Sequence, residues 1–195
     1  MILSDRGIVK ALDDGALEID PVPTPEQYTT SAVDLAVGNN FMCWDREKLK
    51  LAGFIPTLNL AEQKFLATAH AFLVPMPLEP DGSFLFHPFE DKPRHVLVMT
   101  RERVHLKLGS KLAARVEGRS SLARIGLTVH LTAPTIHAGF NAPITLEMIN
   151  YSPFTLKIIP NKTFLCQLII ERLETDPTSD IKTAFQGQKD ASGAH

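Results

Sequence analysis

The chain has 195 residues and a mass of 21.5 kDa, which suits one domain or two small ones. Twenty Lys and Arg residues stand against 22 Asp and Glu residues, giving a formal net charge of −2. This balance argues against nucleic acid or a membrane as the main partner, because both select a basic excess, whereas a small anion stays compatible. No signal-like series opens the chain and no apolar run could span a bilayer, so we expect a cytoplasmic protein.

The first 30 residues predict a short helix followed by a linker. Ser4 and Asp5 cap an apolar pattern that ends near Gly15, which predicts one helix. Three prolines between residues 21 and 25 then exclude regular structure.

Alternating apolar residues predict a strand over 33–37, closed by the turn Gly38-Asn39-Asn40. Asp34 lies inside this strand, and it either faces solvent or caps a neighbouring group. Residues 61–70 fit a helix or a strand. The proline-rich segment 73–93 predicts short strands joined by tight turns.

Short β-rich runs bounded by Pro, Gly, Asn or Ser fill the second half of the chain. They cover residues 96–99, 104–106, 127–131, 144–149, 156–159 and 164–170, and residues 112–116 lead into the motif at residues 118–124. Such spacing, with few helices, favours a sandwich or barrel over a parallel α/β sheet. The C-terminal stretch 174–195 is predicted to be a flexible tail, unstructured until a ligand binds.

Residues 118–124 read Gly-Arg-Ser-Ser-Leu-Ala-Arg and form the most informative motif. Two guanidinium groups and two hydroxyls are suitable donors for phosphate oxygens, and the leading glycine lets a ligand approach the backbone. A helix that starts at Ser120 would add free N–H groups at the same place. The alternative is a capped surface helix with two solvated arginines.

Glu147 is the second candidate. Strand alternation places Ile144, Leu146 and Met148 on one face, and Glu147 with Thr145 on the other. Apolar flanks would raise the pKa of an enclosed carboxyl and suit it to general-base catalysis. The alternative is an exposed glutamate on a solvent-facing strand.

A metal site is disfavoured. His130 and His137 lack tight ligand spacing and a third ligand, and Cys43 and Cys166 have no close-spaced partner for a zinc motif or a disulfide framework.

The run 118–127, followed by Thr132-Ala133, Gly139-Phe140 and 144–147, resembles the dCTP deaminases of the dUTPase-like superfamily. The opening 1–6, the strand 33–38, Phe86-His87-Pro88, Gln167-Leu168 and the tail 185–188 extend the resemblance in order. It implies one domain over 1–195, with an N-terminal helix and linker (1–30) and a tail (174–195) that folds over the site as a lid. The implied fold is mainly β, a distorted β-barrel or jelly roll with a few short helices.

The resemblance also implies a function and a site. The reaction would be hydrolytic deamination of dCTP to dUTP and ammonia in a homotrimer with inter-subunit sites. Glu147 would be the general base, with Arg124 near the base and Ser120 positioning water. The implied substrate-binding set is Arg119, Ser120, Ser121, Arg124, Thr132, Ala133, His137, Phe185 and Gln188. Mg²⁺ would arrive with the triphosphate, and zinc is not expected, because the chain lacks the His/Cys/Cys set of zinc-dependent base deaminases.

Two departures from the family pattern bear on specificity. His137 stands where members commonly carry Asp, which in dUTP-hydrolysing relatives activates the water that attacks phosphorus, so dUTPase activity is disfavoured. Ala184-Phe185 replaces a Lys-Tyr pair, and Lys182 or Lys189 would have to supply the missing cation. A dUTPase, a bifunctional deaminase–dUTPase and a catalytically silent nucleotide-binding regulator stay as alternatives.

Overall fold

The computed structural model describes residues 1–51, 53, 57–62, 65–92, 94–178 and 191. Four α-helices lie in this part of the chain: α1 (Asp5–Asp13), α2 (Arg46–Leu51), α3 (Phe65–His70) and α4 (Ser120–Ala123). The strands, in chain order, are β1 (Leu17–Asp20), β2 (Val33–Ala36), β3 (Met42–Trp44), β4 (Leu73–Pro75), β5 (Phe84–Phe86), β6 (Val96–Leu106), β7 (Leu112–Gly118), β8 (Leu127–Thr128), β9 (Thr135–Ile136), β10 (Asn141–Asn150), β11 (Leu156–Ile158) and β12 (Phe164–Arg172).

The strands form three antiparallel sheets. The largest has the order β4-β3-β6-β10-β8, and β1 also pairs with β6. A four-stranded sheet has the order β2-β12-β7-β9, and β11 pairs with β5 alone. The predicted mainly β class with few short helices is confirmed, although the described strands are divided among sheets that do not close into one barrel.

The core lies between the inward faces of these sheets. Alternation of buried residues along most of β6, β7 and β10 gives each of these strands one inner and one outer face. Phe41 and Phe84 stack at the centre with ring centroids 3.9 Å apart. Apolar side chains that are fully buried here supply the main stabilisation, at roughly 25 cal/mol per Å² of apolar surface removed from water.

The N-terminal helix forms as the sequence predicts. The Ser4 side chain caps α1 by accepting a hydrogen bond from the Gly7 N–H at 3.4 Å. Gly15 follows the helix with a φ of +66°, a conformation that favours glycine. The linker behind β1 is less irregular than expected, because Pro25–Gln27 form a 3-10 turn.

Three local predictions change in the structure. The two runs 96–99 and 104–106 belong to the single strand β6, because the strand alternation continues through the polar residues between them. Thr100 and Glu102 are buried on its inner face, and the two arginines alternate with them on the outer face. The run 127–131 forms only the two-residue strand β8 before the chain leaves the sheet. Residues 65–70 of the ambiguous segment 61–70 are helical, and residues 61 and 62 lie in a turn before them.

No helix in the described ranges is long and apolar enough to cross a membrane.

Candidate active site

Glu147 lies in the middle of β10, opposite Leu97 of β6. Its neighbours Leu146 and Met148 are buried in the core, so the carboxylate projects from the outer face, as the alternation predicts. Thr145 lies on the same face, and its hydroxyl is buried without a partner among the described residues. Glu147 is half-buried, which suits a group that must reach a ligand while being shielded from bulk water.

Burial raises the pKa of the Glu147 carboxyl above its ordinary value of 4.5. Two weaker effects oppose this shift: the Leu131 N–H donates to Glu147 Oε2 at 3.4 Å, and His130 lies close enough to attract the charged form. The net rise moves the carboxyl towards the range in which it can exchange protons near neutral pH.

The arginine–serine motif forms the short helix α4, which starts at Ser120 as predicted. Leu122 is the apolar side chain that packs against the core, so the helix is held from one side. Ser120, Ser121 and Arg124 are exposed on the other side, and the Arg124 N–H closes the helix on Ser120 O at 3.0 Å. Three of the predicted phosphate- and base-contacting side chains are therefore accessible.

Arg119 precedes α4 and is more constrained. Its Nε lies 3.3 Å from Asp34 Oδ2, and its Nη1 donates to Phe164 O at 3.3 Å. Asp34 is 4% exposed, so it does not face solvent, and of the two possibilities left open by the sequence it takes the one in which it binds a neighbour. Gln167 Nε2 donates to its other oxygen at 3.0 Å.

The loop between β8 and β9 links this motif to Glu147. His130 Nε2 lies 3.5 Å from Glu117 Oε2 on β7, and the next residue, Leu131, donates its N–H to Glu147. Glu117 belongs to the same four-stranded sheet as Asp34, and Gln167 of β12 stands between them in register. The loop therefore contacts both Glu147 and β7, the strand that leads into the arginine–serine motif.

Of the two glycines that flank the motif, Gly126 is the one whose backbone conformation and packing require glycine. Gly126 has a φ of +96°, and a Cβ added there would lie 2.9 Å from Ser152 N and 3.0 Å from Tyr151 C. A Cβ on Gly118 would make only an ordinary contact, 3.4 Å from Val129 Cγ2. Close backbone packing behind α4 thus fixes the position of the motif against the end of β10.

The remaining predicted substrate-binding residues divide into two groups. Thr132 and Ala133 lie between β8 and β9, His137 lies between β9 and β10, and all three are exposed. Phe185 and Gln188 lie outside the described residues, as does the Ala184 substitution. Within the described part of the chain, Glu147 makes no hydrogen bond or ion pair with residues 119–124.

The cysteines are poorly suited to hold a metal ion. Cys166 is buried, and burial with the nearby Glu102 and Asp34 charges raises the pKa of its thiol strongly, which disfavours the thiolate. The other cysteine, Cys43, is buried and accepts a hydrogen bond from Arg94 at 3.2 Å. No group of three or more His, Cys, Asp or Glu side chains is placed to bind a metal within the described residues.

Sequence reasoning did not assign a role to Glu117 or Gln167, and it left Asp34 undecided. The feature in the sequence that could have singled out these three residues is that each is a polar residue within a mostly apolar strand. The register of β2, β12 and β7 brings the three into one row, and that register is not readable from a single sequence.

These observations define a mainly β protein with two groups of candidate site residues, the accessible arginine–serine motif at α4 and the half-buried carboxylate of Glu147 on β10. A family model described as dCTP deaminase-like matches residues 2–173, and the chain belongs to that family.

Individual proteins agree with this assignment. The dUMP-forming dCTP deaminase of Methanosphaera stadtmanae is 34% identical over 177 residues, which cover 91% of this chain and 81% of that protein. The dCTP deaminase of Rhodospirillum rubrum is 34% identical over 179 residues, covering 92% and 86% respectively.

Among solved structures, the 2′-deoxycytidine 5′-triphosphate deaminase from Agrobacterium tumefaciens superposes with a TM-score of 0.62 at 16% identity. The match covers 88% of this chain and 48% of that chain, so the present chain spans about half of its length. At this identity the likeness shows the fold alone, and it supports the mainly β class.

Proposed function

We propose that this protein hydrolyses the C4 amino group of dCTP and releases dUTP and ammonia. The observation that carries the proposal is Glu147, a half-buried carboxylate of raised pKa on the outer face of β10. Membership of the dCTP deaminase-like family supports the substrate. A soluble nucleotide substrate also supports the cytoplasm as the proposed compartment.

Glu147 would serve as base and then as acid. In its charged form it takes a proton from water, so that the oxygen adds to C4 of the cytosine ring. The protonated carboxyl then gives a proton to the departing amino group as the C–N bond breaks and ammonia leaves. The proton left on the added hydroxyl passes to N3 of the ring as the C4 carbonyl forms. A raised pKa helps the second half of this cycle, because the carboxyl retains its proton until the leaving group needs it. Arg124 and Ser120, both exposed on α4, would position the base and the water.

The triphosphate would bind at Arg119, Ser120 and Ser121. Guanidinium and hydroxyl donors match phosphate oxygens in charge and geometry. Mg²⁺ would neutralise part of the triphosphate charge when it is bound. Because Asp34 is already occupied by Arg119 and Gln167, we propose that phosphate oxygens hold the ion and that the protein supplies no dedicated acidic cage.

Deamination would proceed without zinc. The zinc-dependent base deaminases need thiolate and imidazole ligands on one ion. In this chain burial disfavours the Cys166 thiolate, and the Cys43 sulfur already accepts a hydrogen bond from Arg94. This donor set does not fit a catalytic zinc ion.

We further propose a homotrimer with sites shared between subunits. The motif side chains are exposed, and Glu147 has no direct contact with them within the described chain. Mixing the inactive variants Glu147→Gln and Arg124→Ala tests this arrangement. In a trimer with shared sites, roughly a quarter of the sites would regain both wild-type residues, whereas unmixed variants stay inactive. No recovery after subunit exchange, shown by a tag on one variant, would contradict the shared site.

The product distinguishes two candidate activities. The name of the Methanosphaera stadtmanae relative describes a dUMP-forming enzyme, which favours a second hydrolysis at phosphorus as the alternative. His137 is exposed, and the family resemblance puts it where dUTP-hydrolysing relatives carry the aspartate that activates that water. Its imidazole in place of a carboxylate favours dUTP as the product. Incubation with dCTP, dUTP, CTP and dCMP plus Mg²⁺ should give ammonia from dCTP without pyrophosphate. Equal release of pyrophosphate would establish the dUMP-forming activity, and no release of ammonia would refute deamination.

A further inference from the structure

Asp34 is a buried, paired carboxylate that has no part in the proposed catalysis by Glu147. It is a carboxylate on β2 that is 4% exposed, and such a group is stable in the interior only when it is paired. Its partners are Arg119 Nε at 3.3 Å and Gln167 Nε2 at 3.0 Å, one for each carboxylate oxygen. From this arrangement we propose that Asp34 is a positioning residue that orients Arg119 towards the triphosphate.

The guanidinium group of Arg119 is fixed at two points. Asp34 takes the Nε side, and the Phe164 carbonyl takes Nη1 at 3.3 Å. These two contacts set the plane of the group before a ligand arrives and leave Nη2 free of a partner among the described residues. Since a fixed donor loses less side-chain freedom on binding, this arrangement increases affinity for a phosphate oxygen.

Asp34 is itself held in place by the sheet. Gln167 stands opposite it in the register of β12 and β2, and the same residue stands opposite Glu117 on β7. Arg119 follows two residues after Glu117 and so leaves β7 on the same side. The four-stranded sheet therefore positions both the carboxylate and the arginine, and the contact between them does not depend on a flexible loop.

A second buried carboxylate, Glu102, does not contact Arg119, so the contact of Arg119 is with Asp34 alone of the two. This second buried carboxylate has its own partners: the Ala36 N–H at 2.9 Å, Gln27 Nε2 at 3.2 Å and the guanidinium of Arg101. Both carboxylates act on Cys166, so they lie in the same region of the interior. Only Asp34 contacts Arg119, which makes Glu102 a matched control for the loss of a buried charge.

The proposal rests on the proposed function, because it assigns Arg119 to the phosphates. Asp34→Asn keeps the shape and the ability to accept from Gln167, but it removes the charge that holds the guanidinium. Losing one charge-assisted contact to the triphosphate should raise KM for dCTP by about tenfold, with kcat changed less than about twofold. Glu102→Gln should lower stability without this change in KM. Asp34→Thr, which also suits a strand, replaces Asp34→Asn if the latter does not fold.

A double-mutant cycle separates positioning from a purely structural role. If Asp34 acts through Arg119, adding Asp34→Asn to Arg119→Ala causes no further rise in KM. Additive rises, equal KM effects in Asp34→Asn and Glu102→Gln, or an unchanged KM in a folded Asp34→Asn protein would each overturn the proposal. Failure of the wild-type protein to release ammonia from dCTP would instead overturn the proposed function, so the two failures are distinguishable.

Discussion

Replacing Gly126 by Ala tests how the motif is anchored, and its cost can be worked out from the geometry. A non-glycine residue at a φ of +96° costs roughly 1–2 kcal/mol. The new Cβ would also lie 2.9 Å from Ser152 N, a backbone atom that cannot rotate away. Removing this steric overlap requires a shift of the segment at Tyr151, whose N–H donates a hydrogen bond to Gly126 O at 2.9 Å. Loss of that hydrogen bond costs about 1 kcal/mol.

We therefore expect Gly126→Ala to lower the free energy of unfolding by about 2–3 kcal/mol, the sum of these contributions. For a chain of this size the unfolding midpoint should fall by about 4–12 °C, which thermal denaturation followed by circular dichroism measures. Gly118→Ala is the matched control in the same motif, and it should change stability by less than about 1 kcal/mol, because its Cβ makes an ordinary contact. Equal destabilisation by the two substitutions would refute the reasoning. A stable Gly118→Ala protein with weakened dCTP binding would show that Gly118 serves ligand approach.

Three further predictions concern β10 and the loop before it. Because burial raises the pKa of the Glu147 carboxyl in the folded chain, the folded state binds the carboxyl proton more tightly, and the free energy of unfolding falls as pH rises from about 4.5 through the raised pKa. Glu147→Gln removes this pH dependence, so the stability advantage of the variant in urea titrations should grow with pH. A difference in stability that stays constant with pH would contradict the raised pKa. His137→Asp should add pyrophosphate to the ammonia released from dCTP, and ammonia alone would show that a carboxylate there is insufficient. Asn150→Ala should cost about 3 kcal/mol, because Asn150 Nδ2 donates to the buried Phe86 carbonyl at 2.8 Å and to the part-buried Phe154 carbonyl at 2.9 Å. Chemical denaturation checks this, and a loss below about 1 kcal/mol would contradict it.

Periodicity in the sequence was sufficient to predict much of the fold. The alternation that places the Glu147 side chain on one face of β10, with Leu146 and Met148 on the other face, depends only on strand geometry, and the structure confirms it. The start of α4 at Ser120 is likewise a local property. The strand at 33–36 is different, because all four of its residues are buried, and alternation within it carried no information on which side chain meets solvent.

What the sequence could not supply was the pairing of distant residues. Asp34 and Gln167 meet because β2 and β12 are adjacent, over a separation of 133 positions. The contact of Glu147 with the Leu131 N–H depends on where the chain leaves β8, and the predicted strand 127–131 is cut short before that contact. Long-range register and loop paths therefore determine the fine geometry of the site, while local patterns determine which residues belong to it.

The most direct test of the account is ammonia release from dCTP by the wild-type protein and by Glu147→Gln. The account predicts one ammonia for each dUTP formed by the wild-type protein. It also predicts that the variant loses at least about 100-fold in kcat while it binds the nucleotide with nearly unchanged affinity, since Gln can still accept the Leu131 N–H. Wild-type turnover in the folded Glu147→Gln protein would contradict the assignment of Glu147 as the catalytic base.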